Sequence, residues 1–589
     1  MSVTDNGGVK NNKLVVSGFD EAIKYNLFYF KKKMNSPNNY LNVTVSEDWW
    51  KSAVFYQIYP RSFCDSNNDG IGDLQGVTKK LDHLNDGNGG GLGIDAIWLS
   101  PFFPSPQADF GYDVSDYCNI DKDYGTLEDF DNLVAEAHKR EIKVVLDLVL
   151  NHSSDQHEWF KESRLDRSNS KADWYVWADP KPNGEPPNNW LAVFGGAAWT
   201  YEPQREQYYL HNFLAEQPDL NWYNPQVREA LAEVVRFWMN RGVDGFRLDT
   251  ANYYAHDREL RDNPKRPADS KLLEDGQEAN PLSGYITKYS KDRPENIEFI
   301  HYLRKIFDEK AGFTSIGEIG SSEGLDETLK LGADYVKHGD GLHMAYTFAM
   351  LSKEMNAEYF DHVVRFTEDM IEDGWPCWSL SNHDCTRMMT RFNCFAEREG
   401  FQQMMLLLLL SLRGTPIIYY GEEVDMEEYP ISKEEVRDPQ GIHFWPKIKG
   451  RDGCRLPFPW DSTLANQGFN SGAKSWLPAK NALSLDQAKA SPDSSYNVLR
   501  EMLKIRKAFP ALQRGAFRRI LIEGNSYVFE RKTETETLLI AANFSTEEQH
   551  LKLPAKVEQD LTPQALKRSC TLKNEQLVLP GCGYFIGKI

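Results

Sequence analysis

The stretch Lys143-Val-Val-Leu-Asp147-Leu-Val-Leu-Asn151-His152 holds an apolar run, residues 143–149, that stops on polar and ionisable residues. A segment of helical period, residues 126–140, precedes it. Outward from this stretch the same rhythm repeats. Apolar runs recur at residues 54–59, 94–100, 243–249, 315–318, 342–347, 378–384 and 416–422, with helix-like segments such as 227–240 between several of them. Eight strand candidates alternating with helices read as parallel βα units, and right-handed crossovers close such units into a (β/α)8 barrel. An open doubly wound sheet is the competing fold, and the glycine motif that would favour it is missing. The expected class is therefore α/β, a TIM barrel with additions.

Two interruptions define those additions. Residues 151–221 are far more chain than a βα connection needs. They are rich in Trp, Pro, Gly and Asn, so they are expected to form a subdomain inserted after the third strand. Residues 424–480 form a second irregular, Pro- and Gly-rich region. Helix resumes near 497–509, and alternating strands at 526–531, 537–543 and 584–589 point to a C-terminal antiparallel sheet domain over 511–589. The barrel then spans 48–150 and 222–510. Residues 1–47 read as an irregular extension with one amphipathic stretch at 20–33.

The chain has 589 residues, 41% of them hydrophobic and 12% aromatic, enough to bury a large core. A net charge of −20 argues against a nucleic-acid partner and against an anionic membrane surface. The longest nearly apolar run, 404–412, falls well short of the ~20 residues of a membrane span and reads as a buried helix. Residues 1–10 are polar and lack the apolar stretch of a signal peptide, which points to the cytoplasm, with a processed secreted form as the alternative. The eight cysteines form no CxxC pairs, so structural zinc is not expected. A monomer or a homodimer is equally compatible with the sequence.

In a barrel, catalytic groups come from the C-terminal ends of several strands. The third run ends on Asn151-His152, the fourth reads Gly245-Phe-Arg247-Leu-Asp249-Thr250, the fifth ends Gly317-Glu318 and the seventh Asn382-His383-Asp384. Arg247 and Asp249 are two apart in a strand, so they share a face and can pair. An arginine there is expected to lower the pKa of Asp249 and keep it ionised. Singly, each of these has a bland reading, a helix cap for an Asp or a loop hydrogen bond for a His. Together, at the right ends of the right strands, they point to catalysis.

These four segments resemble the four short signature regions of the α-amylase family of glycoside hydrolases. Gln217-Pro-Asp-Leu-Asn221 is similar to a fifth, in the form typical of oligo-1,6-glucosidases and α-glucosidases. The resemblance runs from about Trp49 to the C-terminus. It implies Asp249 as nucleophile, Glu318 as proton donor and Asp384 as the carboxylate that stabilises the transition state, with Arg247, His152 and His383 holding glucose. Retention requires two carboxyls ~5–5.5 Å apart, one attacking C1 while the other protonates the leaving oxygen. The donor must stay protonated near neutrality, so a raised pKa is expected for Glu318.

The same resemblance shapes the expected pocket. Asp109-Phe-Gly-Tyr112 implies an Asp on the far hydroxyls of a terminal glucose and a Tyr beneath its ring, with Arg451 pairing to that Asp. A blocked end makes such an enzyme exo-acting. Phe194 and Phe213 match aromatic positions lining the sugar subsites; packing of the inserted subdomain is their alternative use. Thr250, directly after the nucleophile, goes with α-1,4 rather than α-1,6 cleavage in similar enzymes. The loop Asp65-Ser-Asn67-Asn-Asp69-Gly-Ile71-Gly-Asp73 presents hard oxygen donors at alternate positions. The resemblance implies one structural Ca²⁺ there, held by Asp65, Asn67, Asp69 and Asp73 and the Ile71 carbonyl; an ordinary turn is the alternative. No organic cofactor is implied.

The expected activity is hydrolysis of terminal α-glucosyl units from small neutral sugars, maltose-type or sucrose, through a covalent glucosyl-enzyme. A sucrose isomerase or transglucosylase on the same scaffold is the rival. A non-catalytic, transporter-associated relative is a remote third, since such proteins carry a membrane anchor and lose the carboxylates.

Overall fold

The computed structural model describes residues 48–267, 280–392, 398–568 and 570–589. The expected extension at 1–47, with its amphipathic stretch, lies outside them. The eight barrel strands are β1 (Phe55–Ile58), β2 (Ala96–Leu99), β3 (Lys143–Leu148), β4 (Gly245–Leu248), β5 (Thr314–Ile319), β6 (Met344–Thr347), β7 (Cys377–Ser379) and β8 (Thr415–Tyr419). Each is followed by a helix: α1 (Leu74–Lys79), α2 (Leu127–Lys139), α3 (Pro225–Asn240), α4 (Asn296–Phe307), α5 (Leu325–Asp334), α6 (Ala357–Met370), α7 (Arg398–Ser411) and α8 (Ser495–Ala508). All strand pairs are parallel, in the order β7-β8-β1-β2-β3-β4-β5-β6. The circle closes between β6 and β7 through a parallel bridge from Ala345 to Pro376. The expected TIM barrel is the fold.

Local chemistry fixes these elements. Thr126 and Asp129 form a reciprocal capping box that starts α2. Asn224 caps α3, with Pro225 in the first turn where its missing N–H costs nothing. The run at 404–412 falls largely within α7, a helix buried along its length. Among the described residues no helix is long and apolar enough to cross a membrane.

Period-two alternation sorts each strand between barrel interior and helix layer. Phe55, Trp98, Val145, Ile316, Met344 and Ile417 pack in one interior cluster, whereas Val144, Leu146, Phe246 and Leu248 join the larger core with the helices. One interior step further along, the lining turns polar. Asp147 pairs in register with Arg247, and Glu318 with Tyr346. The strands that fill the barrel with hydrophobic side chains thus deliver ionisable ones at its C-terminal mouth. Gly245 allows this packing, because a Cβ there would stand 2.7 Å from the Thr314 carbonyl oxygen.

Residues 151–221 hold a short helix (Glu158–Ser163) and a three-stranded antiparallel sheet of Trp177–Ala178, Gln207–Leu210 and Trp199–Glu202. Its small core includes Trp190, Trp199 and Leu210. A third long connection, between β4 and α4, was not among the expected interruptions. Leu260 and Tyr289 from it pack on that core, Trp190 Nε1 donates to the Arg261 carbonyl at 2.9 Å, and Asn188 to that of Leu260 at 3.1 Å. After β8 the irregular stretch contains one helix (Pro439–Phe444) and short 3₁₀ turns. From Ala516 onward the chain forms a five-stranded and a three-stranded antiparallel sheet.

Candidate active site

Arg247 is the hub. It is fully buried, and its Nη1 donates to Asp147 Oδ1 at 2.8 Å and Asp249 Oδ1 at 2.7 Å. Nη2 lies 2.7 Å from Glu318 Oε2 and donates to the Tyr346 hydroxyl at 3.0 Å. One planar fork therefore holds carboxylates from three adjacent strands, a geometry that suits a guanidinium and not a point charge. Thr250 ties the same two groups again: its N–H donates to Glu318 Oε2 at 3.1 Å and its hydroxyl to Asp249 Oδ2 at 3.3 Å. The backbone turns sharply to allow this. Thr250 has φ of 41°, a left-handed conformation that a β-branched residue seldom adopts.

A second cluster stands opposite. Asp384 Oδ1 accepts from Arg451 Nη1 and Arg455 Nη2, each at 3.0 Å, and Oδ2 lies 3.2 Å from His383 Nε2. Gln57 Nε2 lies 2.8 Å from His383 Nδ1. With that nitrogen accepting, the ring's proton is on Nε2, toward Asp384 and the Tyr112 hydroxyl. Arg451 Nη2 donates to Asp109 Oδ1 at 2.6 Å and its Nε to Asp438 Oδ1 at 2.7 Å. The guanidinium of Arg451 thus spans Asp109, Asp384 and Asp438, and it lies 4.7 Å from the ring centre of Phe194.

Between the clusters is a cavity of about 360 Å³, within the usual size range of small-molecule sites. Asp109, Tyr112, His152, Phe194, Phe213, Asp249, Thr250, Glu318, Asp384 and Arg451 all line it. Arg247 and His383 stand directly behind, bonded to its lining. Tyr112 stacks on His383 with ring centres 5.3 Å apart and planes 7° apart. Phe213 bridges His152 and Tyr253 at 5.1 and 5.3 Å, and Phe194 lies 5.9 Å from it. His152 Nε2 lies 3.2 Å from the Tyr112 carbonyl oxygen, which can only accept, and 3.1 Å from Gln217 Nε2.

Electrostatics separates the carboxylates. Burial pushes Glu318 up to about 7, against the pull of Arg247. The expectation of a low value for Asp249 needs correcting: burial pushes it up to about 7 as well, and Arg247 offsets this only in part because Asp147 and Asp384 add negative charge. Asp249 and Glu318 share one guanidinium between them, so losing the proton from one makes the other hold its own more tightly. The carboxylate held well below its usual range is Asp384, where His383, Arg451 and Arg455 together outweigh burial. Burial lowers His152 to about 3 and keeps it neutral.

The Asp65 loop lies away from this cavity. Asp65 accepts from the amides of Asn68 (2.6 Å) and Gly70 (2.8 Å), Asn67 from Asp69 (2.9 Å), Asp69 from Ile71 (2.9 Å), and Asp73 from Ser66 (2.8 Å) and Gly76 (2.6 Å). Among the described residues no three His, Cys, Asp or Glu side chains converge as metal ligands. Carboxylates alone make no cage here, and the Asn67 amide and Ile71 carbonyl would be needed to complete one.

Several groups in the site carried no sequence expectation. Asp147 was visible at its strand end without a role; it accepts from Arg247, from the Tyr112 hydroxyl at 2.9 Å and from Trp98 Nε1 at 3.2 Å. Arg455, four residues past Arg451, and Asp438 have no local signal that separates them from loop charges. Asn252, Tyr253 and Lys291 enter the cavity lining from the unexpected β4–α4 loop.

The chain matches the family model "Alpha amylase, catalytic domain" over residues 57–515. It is 46% identical over 547 residues to a probable alpha-glucosidase of Rhizobium meliloti (strain 1021), covering 92% of this chain and 97% of that one. It is 37% identical over 536 residues to an oligo-1,6-glucosidase of Heyndrickxia coagulans, covering 85% and 92%. Among solved structures, the alpha-glucosyl transfer enzyme XgtA is 44% identical with a TM-score of 0.87, covering 92% of this chain and 99% of that one. The trehalulose synthase MutB from Pseudomonas mesoacidophila MX-45 is 34% identical with a TM-score of 0.81, covering 92% and 100%. With an eight-stranded barrel, a ring of carboxylates at its mouth and near-full-length relatives, the chain belongs to the α-amylase family of glycoside hydrolases.

Proposed function

We propose that this chain is an exo-acting, retaining α-glucosidase that removes single glucose units from short α-glucosides. The observation that carries the reading is the cavity at the barrel mouth, with Asp249 and Glu318 held on one guanidinium and a wall made by Asp109 and Arg451. Asp249 attacks C1 while Glu318 gives its proton to the leaving oxygen; in the second step Glu318 takes a proton from water and the glucosyl–Asp249 ester is hydrolysed. Asp384, kept ionised by three cationic or donor neighbours, faces the positive charge that develops at the sugar ring. Asp109 binds the far hydroxyls, which closes the pocket beyond one sugar. Arg247, His152, His383, Tyr112, Phe194 and Phe213 orient that sugar, and Thr250 favours α-1,4 or sucrose-type linkages over α-1,6.

A second reading, isomerisation or glucosyl transfer, is favoured by the likeness to XgtA, an alpha-glucosyl transfer enzyme, and to MutB, a trehalulose synthase. Initial rates on sucrose, maltose, isomaltose and trehalose, with product identification and an Asp249→Asn control, separate the two. Glucose as main product supports hydrolysis; trehalulose-type isomers or new oligosaccharides would replace it. An inert wild type on every α-glucoside would sink both. We also propose the Asp65–Asp73 loop as the seat of one structural Ca²⁺, a reading supported by its oxygen-only donors at alternate positions.

A further inference from the structure

Gln57 has no task in the mechanism above, yet it is a polar residue set among the packed side chains of the barrel. It stands on β1 two residues past Phe55 and, like Phe55, points into the interior, where it is fully buried. Its Nε2 lies 2.8 Å from His383 Nδ1 and donates to Ser100 Oγ at 3.3 Å. Its Oε1 has no hydrogen-bond partner among the described residues. A buried amide with an unpaired oxygen costs stability that an apolar side chain of the same volume would not. That cost points to a use in the chemistry.

The surroundings of His383 fix where its proton sits. The Tyr112 hydroxyl donates to Asp147 Oδ2 at 2.9 Å, so toward His383 Nε2 its oxygen accepts. Asp384 Oδ2, 3.2 Å from the same nitrogen, is ionised and also accepts. Nε2 therefore carries a proton. Asp384 attracts a second one to the ring, whereas burial, Arg247 from β4, and Arg451 and Arg455 from the irregular region behind β8 oppose it. The ring is neutral, and its bare Nδ1 takes an N–H of Gln57. Stacking holds the ring plane between Tyr112, 5.3 Å away at 7°, and Tyr59, 6.0 Å away at 28°. The plane being set, the charge on the ring is what the amide controls. An imidazolium here would pair with Asp384 and cancel the charge that faces the sugar as positive charge develops on it.

Resting on the glucosidase reading, we propose that Gln57 is a positioning residue: its N–H, set against Nδ1, keeps a second proton off His383 and so leaves the charge of Asp384 free for the transition state. The test joins kinetics to ¹⁵N NMR of protein labelled at its imidazole nitrogens, the His383 signals being those lost in His383→Gln. In the wild type Nδ1 should be bare and Nε2 protonated from about pH 5 to about pH 8. Gln57→Met keeps the volume and removes the donor. It trades one unpaired atom, Gln57 Oε1, for another, His383 Nδ1, so Tm should change little. Its kcat/KM should fall about tenfold, mostly in kcat, because the charge at stake exists only in the transition state. Gln57→Glu keeps the shape and sets an acceptor against Nδ1; both ring nitrogens should then be protonated and kcat should fall further. A wild-type ring protonated at Nδ1 overturns the proposal without any variant. So does a Gln57→Glu enzyme within about twofold of wild type, or a loss in both variants that only follows a lowered Tm. A wild type inert on every α-glucoside would defeat the glucosidase reading, whereas the ring's protonation is read in the absence of substrate.

Discussion

Replacing Arg247 with lysine keeps a positive charge in the barrel and removes the fork. In the native site Nη1 reaches Asp147 and Asp249 at 2.8 and 2.7 Å, and Nη2 lies 2.7 Å from Glu318. A single ammonium on a flexible stem cannot span carboxylates on β3, β4 and β5 together. At least two charge-assisted hydrogen bonds should go, each of about 1.5–3 kcal/mol. If the whole of that loss is felt in the transition state, about 3–6 kcal/mol corresponds to a fall of roughly 10²–10⁴ in kcat/KM. The pH profile adds a signature that general damage would not give. Burial already pushes Asp249 up to about 7 in the presence of Arg247. Charge moved away from it raises it further, so the acid limb should shift to higher pH in Arg247→Lys. The assay is p-nitrophenol release from p-nitrophenyl α-glucoside across the acid to weakly alkaline range, with Tm measured alongside to exclude unfolding. A variant within about threefold of wild type, with its acid limb unmoved, would refute the account of Arg247 as the group that organises the carboxylates.

Three further outcomes are expected. Asp109→Asn removes the charged partner of Arg451 Nη2 (2.6 Å) and should raise KM for short glucosides about tenfold or more with a smaller change in kcat, read from Michaelis–Menten curves. Asp425 is half-buried, its Oδ1 accepts from Gln402 and Ser495 at 2.6 Å each, and loss of solvation pushes it up to about 7. An acid whose folded pKa lies above its unfolded value of about 4 stabilises fully below that value and loses this as pH rises through about 7. Asp425→Asn should therefore flatten the fall in Tm between pH about 4 and about 7, and an unchanged slope would contradict the desolvation argument. If the Asp65–Asp73 loop holds calcium, EDTA should lower Tm and added Ca²⁺ restore it; a Tm indifferent to both rules the ion out.

The barrel was legible because its strands are apolar on both faces and end abruptly in polar residues, a pattern set by local sequence. The Arg247–Asp249 pairing was legible for the same reason, since residues two apart share a strand face. What escaped depends on contacts across long separations. Arg455 and Asp438 meet Asp384 and Arg451 only after the irregular region behind β8 folds back over the mouth. The β4–α4 loop reads as ordinary polar connection until the inserted subdomain offers Leu260 and Tyr289 a surface. The pKa of Asp249 was misjudged for a related reason: the neighbouring arginine is visible in sequence, while desolvation and two further carboxylates are properties of the assembled site.

The closure of the barrel at Ala345–Pro376 divides the catalytic ring unevenly. Along the sheet, Asp147, Asp249 and Glu318 ride on β3, β4 and β5 toward one edge, whereas His383 and Asp384 follow β7 at the other. The two edges are joined by a single backbone bridge whose proline brings no N–H of its own. This seam is where the cylinder is weakest, and it runs between the two halves of the chemistry. Warming or mild denaturant should part them there first, so activity is expected to fade at temperatures where the helices and sheets are still intact, with amide exchange along β7 rising in step.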